Sequence, residues 1–166
     1  MAHKHWENPE TISYGRLPAR ASFPSYYSEG DAVSAAPDGR LMLNGTWRFH
    51  RVGHPSAVPI GWAEPGFSDN NWKEMVVPSL WTMDSESPDK PIYTNVQMPF
   101  RTEPPLTPEL NPTGLYRRDI EIPDAWQDKR IVLNIGGIEN CFYLYCNGQE
   151  VGFSKDCRLP SEFDLT

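Results

Sequence analysis

The sequence has 166 residues, a net charge of −7 and 17 prolines. That length allows one domain with a hydrophobic core, or one domain plus an arm. The acidic balance disfavours nucleic acid, which needs a basic footprint for counterion release, and equally disfavours an anionic membrane surface. About twice the usual share of proline argues against an α-helical domain, and 12% aromatic residues argue against disorder.

Met1 to Pro9 lead into no apolar run, so no export signal is expected. No stretch approaches the length of a bilayer span. Cys141, Cys146 and Cys157 make an odd count, which without an export signal reads as reduced thiols and a cytoplasmic location. Cys141 and Cys146 lie five apart on one predicted strand and should not bridge.

Residues 1–40 read as an extended N-terminal arm. They include Arg16-Leu17-Pro18-Ala19-Arg20 and Phe23-Pro24-Ser25-Tyr26-Tyr27, with no sustained period of 2 or 3.6. Residues 41–166 read as a β-sandwich. Leu41, Leu43, Trp47 and Phe49 alternate around Asn44-Gly45, which predicts extended chain with a turn or bulge. Residues 56–75 are loop-like, with Trp62, Phe67 and Trp72 expected to plug the loop into the core. Met75-Val76-Val77 is a short strand ending at Pro78. Seven prolines between Pro88 and Pro112 mark a long loop region, of a kind usually functional or packed against a partner. Tyr116 to Ile122 alternates, with Tyr116, Arg118, Ile120 and Ile122 on one face. Ile131, Leu133 and Ile135 form the next strand.

The clearest local signal is Asn147-Gly148 between Cys141–Cys146 and Gln149–Phe153. It predicts a hairpin with a type I′ turn. The first hairpin strand is apolar on both faces, with Phe142, Leu144 and Cys146 assigned to the core and Tyr143 and Tyr145 to the other side. Something must cover that outer face. Short strands with Gly/Pro punctuation and no helix beyond a turn or two predict an all-β antiparallel sandwich. With five to seven strands and none expected after the hairpin, the sandwich reads as incomplete at its C-terminus, stopping mid-fold at Leu165-Thr166.

No Gly-rich phosphate loop, Cys-x-x-Cys pair, His-Glu-x-x-His or Gly-x-Ser-x-Gly motif is present. No carboxylate spacing marks an acid/base pair, so Glu7, Glu109 and Glu162 read as structural or solvated. His3 and His5 could ligate a metal, but a frayed terminus is the simpler reading. His50 and His54 lack a nearby third ligand. Tryptophans could stack on sugar, but core packing suits most of them better.

Several blocks together resemble the β-galactosidase branch of glycoside hydrolase family 2. They are Trp6-Glu7-Asn8-Pro9, Leu43-Asn44-Gly45-Thr46-Trp47-Arg48-Phe49, Val77-Pro78-Ser79-Leu80-Trp81 (where the family usually has Val-Pro-Ser-Asn-Trp) and Pro91-Ile92-Tyr93-Thr94-Asn95-Val96. Asn111-Pro112-Thr113-Gly114 with Tyr116, Asn147-Gly148, Val151-Gly152-Phe153-Ser154 and Arg158 to Leu165 follow in family order. The resemblance implies the arm plus the jelly-roll sugar-binding domain, whose fold is that of galactose-binding domains. In the family an immunoglobulin-like domain and a TIM barrel follow, and the barrel carries the catalytic glutamates of a retaining mechanism. The segment is therefore expected to hold no catalytic residue and to be inactive alone.

The resemblance also places Asn95 where the family has an asparagine reaching the galactose site. An amide offers donors and an acceptor suited to vicinal hydroxyls; its alternative is an Asn satisfying its own turn. The implied partners are a β-galactoside, the remainder of the enzyme chain and further copies in a homo-oligomer. Magnesium and sodium are implied for the parent enzyme, with no metal site or cofactor in this segment. The family's magnesium site near the arm matches at Asn8, but His5 stands where an aspartate would be and Lys155 where a glutamine would be. A lysine beside a divalent cation is electrostatically unfavourable. A stand-alone carbohydrate-binding module and a complementation or interaction fragment are the rival readings.

Overall fold

The computed structural model describes residues 4–21, 23–34, 39–93 and 95–166. Among them are eight strands: β1 (Ser13–Tyr14), β2 (Gly45–Val52), β3 (Lys73–Val77), β4 (Thr113–Arg117), β5 (Val132–Ile135), β6 (Phe142–Cys146), β7 (Gln149–Ser154) and β8 (Ser161–Asp164). One short helix, α1 (Glu29–Ser34), begins where the Ser28 hydroxyl accepts the Asp31 N–H at 3.1 Å. The strands form sheets ordered β3-β2-β4, β1-β7-β6 and β5-β8, and every ladder is antiparallel. The chain is an all-β antiparallel sandwich, as its proline density and punctuation indicate.

β2 is the central strand of the first sheet and shows the alternation read at Trp47 and Phe49, whereas Leu41 and Leu43 precede it and Leu41 is exposed. Trp47 and Phe49 point inward, while Thr46 and Arg48 are exposed. Phe49 packs with its ring centroid 4.8 Å from Tyr116 and 5.9 Å from Trp81. Trp72 is buried, stacked on His50 at 5.4 Å and edge-on to Phe67 at 5.8 Å, so the 56–72 loop is plugged into the core as expected. Each such aromatic burial stabilises the sheet by about 1.5–3 kcal/mol.

The hairpin forms where Asn147-Gly148 predicts it, with φ of 50° and 84° at the two turn residues. Its outer face is covered, and more deeply than the sequence suggests. Tyr143 lies opposite Phe153, which is fully buried, and the arm's His5 and Trp6 pack on Tyr143. Trp62 packs edge-on to Tyr145 at 5.4 Å. The arm thus closes a second core over β6 and β7.

Three elements differ from the sequence expectation. The arm contributes a strand: β1 pairs with β7, Arg16 bridges Phe163, and the Leu17 N–H reaches the Glu162 carbonyl at 2.8 Å. Residues 13–17 therefore run between β7 and β8, a stretch too short to show a period. A strand does follow the hairpin: β8 pairs with β5 from Val132↔Asp164 to Ile135↔Ser161. Phe163 is its only large apolar residue, so its pattern carries little signal. Finally, the β4 ladder ends at Arg117, and Ile120 and Ile122 are exposed. The alternation continues beyond Arg117, although pairing with β2 ends at Arg48↔Arg117.

A polar layer joins the arm to these strands. Ser161 and Ser154 are fully buried and bond through their hydroxyls at 3.1 Å, and Arg16 reaches Ser154 Oγ at 3.3 Å. Arg20 grips the Glu162 carboxylate with two donors at 2.8 Å each, and Asn134 adds a third at 3.0 Å. A buried carboxylate needs such partners to remain charged.

Candidate functional site

After the 3-10 turn Trp81–Met83 the chain enters the proline-rich segment, whose described residues form no regular element until β4. It is anchored at its two ends. At the first, Asp89 accepts the Trp81 indole N–H at 2.6 Å, and the Ser87 hydroxyl donates to the Asp89 carbonyl at 3.0 Å. At the second, the Thr107 N–H and hydroxyl both donate to Glu7 Oε1, at 3.1 and 2.5 Å, and the Asn111 N–H reaches the Gly53 carbonyl at 3.0 Å. Glu7 is thus a strut between arm and loop, and these Thr107 bonds hold its carboxyl below the ordinary value of 4.5.

Between the anchors the loop presents Ile92, Tyr93, Val96, Met98 and Phe100 to solvent. Asn95 is exposed in the same stretch, and its Nδ2 donates to the Tyr93 hydroxyl at 2.9 Å. A neighbouring aromatic hydroxyl thus orients the amide. That bond uses one of its two N–H donors. Thr94 lies outside the described residues.

A shallow cleft of about 310 Å³ lies at the start of this segment, lined among others by His50, Lys73, Trp81 and Glu86. Glu86 is the one carboxylate among the lining residues, whereas glycoside hydrolysis by the two-carboxylate route needs a pair flanking one bond. The other carboxylates weighed from the sequence are placed apart from it. Glu7 holds Thr107, Glu162 is buried under Arg20, and Glu109 is exposed.

The histidines have structural partners. His54 Nδ1 accepts the Ser56 N–H at 3.1 Å and caps a 3-10 turn, His50 stacks on Trp72, and His5 Nδ1 bonds the Tyr143 hydroxyl at 3.2 Å. His3 lies outside the described residues. Among the described residues no group of three or more His, Cys, Asp or Glu side chains could hold a metal ion. All six tryptophans are buried or half-buried, so none forms an open stacking platform. Burial raises the Cys141 thiol above its ordinary pKa, with Lys155 acting in the opposite sense.

The arm junction is where the family resemblance implies magnesium. The Asn8 side chain is engaged in its own turn: Oδ1 accepts the Glu10 N–H at 3.0 Å, and Nδ2 donates to Thr11 Oγ1 at 3.0 Å. The Lys155 ammonium stands among the junction's carbonyls, donating to Asn8 O at 2.6 Å and His5 O at 3.2 Å. A divalent ion there would lie beside a fixed positive charge and lack a carboxylate from position 5. The residues present do not fit magnesium at this point.

Buried scaffolding around one long presenting loop defines the class: an antiparallel β-sandwich domain. Residues 41–166 match the family model described as "Glycosyl hydrolases family 2, sugar binding domain". The chain is 40% identical over 164 residues, 98% of its length, to a protein named "Beta-galactosidase" from Psychromonas ingrahamii. It is 40% identical over 170 residues, covering all of it, to proteins of the same name from Yersinia pestis bv. Antiqua and Yersinia pseudotuberculosis. The chain spans 16%, 16% and 15% of those relatives' own lengths. It belongs to glycosyl hydrolases family 2, and it corresponds to a non-catalytic domain of that family.

The family resemblance singles out Asn95 in the proline-rich loop, and Tyr93 as its orienting partner emerges from the geometry. Sequence reasoning missed the Glu7–Thr107 strut, whose members are 100 residues apart in sequence. No local signal could have paired them.

Proposed function

We propose that this chain is the N-terminal part of a β-galactosidase that hydrolyses terminal non-reducing β-D-galactose residues, lactose-type substrates among them, with retention of configuration. The segment supplies scaffold, and through Asn95 a substrate contact, while chemistry belongs to a catalytic domain elsewhere in the enzyme chain. The observation that carries the reading is similarity, over 98–100% of this chain's length, to proteins named as β-galactosidases. The Asn95 loop supports it: an oriented amide and exposed apolar side chains suit a surface lying against the rest of a longer chain. The enzyme would act in the cytoplasm as a homo-oligomer, with sodium at a site outside this segment.

In the complete enzyme, Asn95→Ala should raise KM for a chromogenic β-galactoside about tenfold, because a hydrogen bond to an uncharged hydroxyl is worth about 1–1.5 kcal/mol. The purified 166-residue segment should show no turnover above a mock preparation. An Asn95→Ala enzyme with unchanged KM and kcat would remove the residue from the site. Turnover by the segment alone would refute its non-catalytic role.

A further inference from the structure

The junction between arm and sandwich converges on a single side chain. The turn His5–Glu7 and the residue after it bring two backbone carbonyls, His5 O and Asn8 O, onto Lys155 Nζ at 3.2 and 2.6 Å. The Lys155 backbone is fixed as well, its N–H donating to the Ile12 carbonyl at 2.9 Å, one step before the β1–β7 ladder begins at Ser13↔Ser154. The nearest acidic side chain of the turn, Glu7, is engaged elsewhere, on Thr107 and on Lys4 at 3.2 Å. The ammonium is therefore held by carbonyl dipoles, the donor set that a bound cation would use.

We propose that Lys155 is a built-in cation for the arm: its tethered ammonium seats residues 5–12 on the sandwich in place of a divalent metal, and makes that seating independent of metal. Three points carry it. The ammonium is a compact charge with three donors, so it can satisfy converging carbonyls as an ion would. It comes from the same chain, so its occupancy has no concentration dependence, unlike a dissociable ligand that stabilises by mass action. The remaining donors at the junction lack what magnesium needs: the Asn8 amide is closed in its own turn, and position 5 is a histidine bonded to Tyr143. The inference concerns arm docking and does not depend on which glycoside the enzyme cleaves.

Hydrogen exchange of the peptide covering residues 5–14, measured on the intact polypeptide, tests it. In the unmodified protein, protection should be the same with excess EDTA and with millimolar magnesium. Lys155→Met should speed exchange of that peptide about tenfold, the loss expected for charge-assisted hydrogen bonds at a half-buried site, and magnesium should not restore it. Loosening of the unmodified arm by EDTA with recovery in magnesium would overturn the proposal. So would Lys155→Met with protection intact, or rescue of that variant by magnesium. If Lys155→Met does not fold, the chelation and magnesium series on the unmodified protein decides alone.

Discussion

Arg20→Met tests how the arm is held at its far end. Glu162 is nearly buried, with its side chain 11% exposed, and takes two charge-assisted hydrogen bonds from Arg20, whose own side chain is 48% exposed. Removing the guanidinium leaves the carboxylate with Asn134 as its side-chain partner. A fully buried pair broken on one side costs about 3–5 kcal/mol, and access of water from the Arg20 side reduces this to about 2 kcal/mol. The loss should appear locally, because the Leu17 N–H is bonded to the Glu162 carbonyl at 2.8 Å. Exchange of the Leu17 amide should therefore speed up about thirtyfold in Arg20→Met. Adding Glu162→Gln should recover most of that protection, since the stranded charge, rather than the absent bond, dominates the cost. A change below about threefold in Arg20→Met, or no recovery in the double variant, would refute the reasoning.

The close approach of arm to sheet predicts a second effect. A Cβ on Gly152 would run into the Tyr14 carbonyl and lie 2.8 Å from Phe163 Cε1 and 3.2 Å from Gly15 Cα, so Gly152→Ala should expel β1 at a cost of about 3 kcal/mol, read as lost protection across residues 13–17. The Glu7 strut predicts a pH response. Folding lowers the Glu7 pKa, so the strut contributes fully above the ordinary value of 4.5 and is lost as pH falls through the lower folded value. Limited proteolysis near Thr107 should accelerate in that acid window, and Thr107→Val should flatten the response.

Legibility followed the range of the signal. Asn147-Gly148 declared its hairpin because the turn requires left-handed backbone at both residues, a local demand. Trp47 and Phe49 declared the buried face of β2 for the same reason. β8 was hidden because a four-residue strand with one large apolar side chain has no readable period, and β1 because it is two residues long. Ile120 and Ile122 misled in the opposite sense, since an alternating pattern does not say where strand pairing stops. Glu162 reads as structural or solvated from the sequence and is structural, but its partner Arg20 lies 142 residues away in sequence, beyond any pattern argument. Asn95 was placed by resemblance, and its orienting bond to Tyr93 emerged only from the geometry.

The threading of residues 13–17 between β7 and β8 bears on the order of assembly. β1 leaves the ribosome long before the strands that hold it, because both of its neighbours lie well over a hundred residues downstream, as the Arg16–Ser154 separation of 138 shows. Closing so long a loop costs only slowly growing entropy, but it delays the contact until the downstream hairpin exists. Until then Trp6, Tyr14 and Phe153 have no common core to enter. Slow translation through residues 149–165 should lengthen that interval, during which the arm is the part of the chain most available to a chaperone.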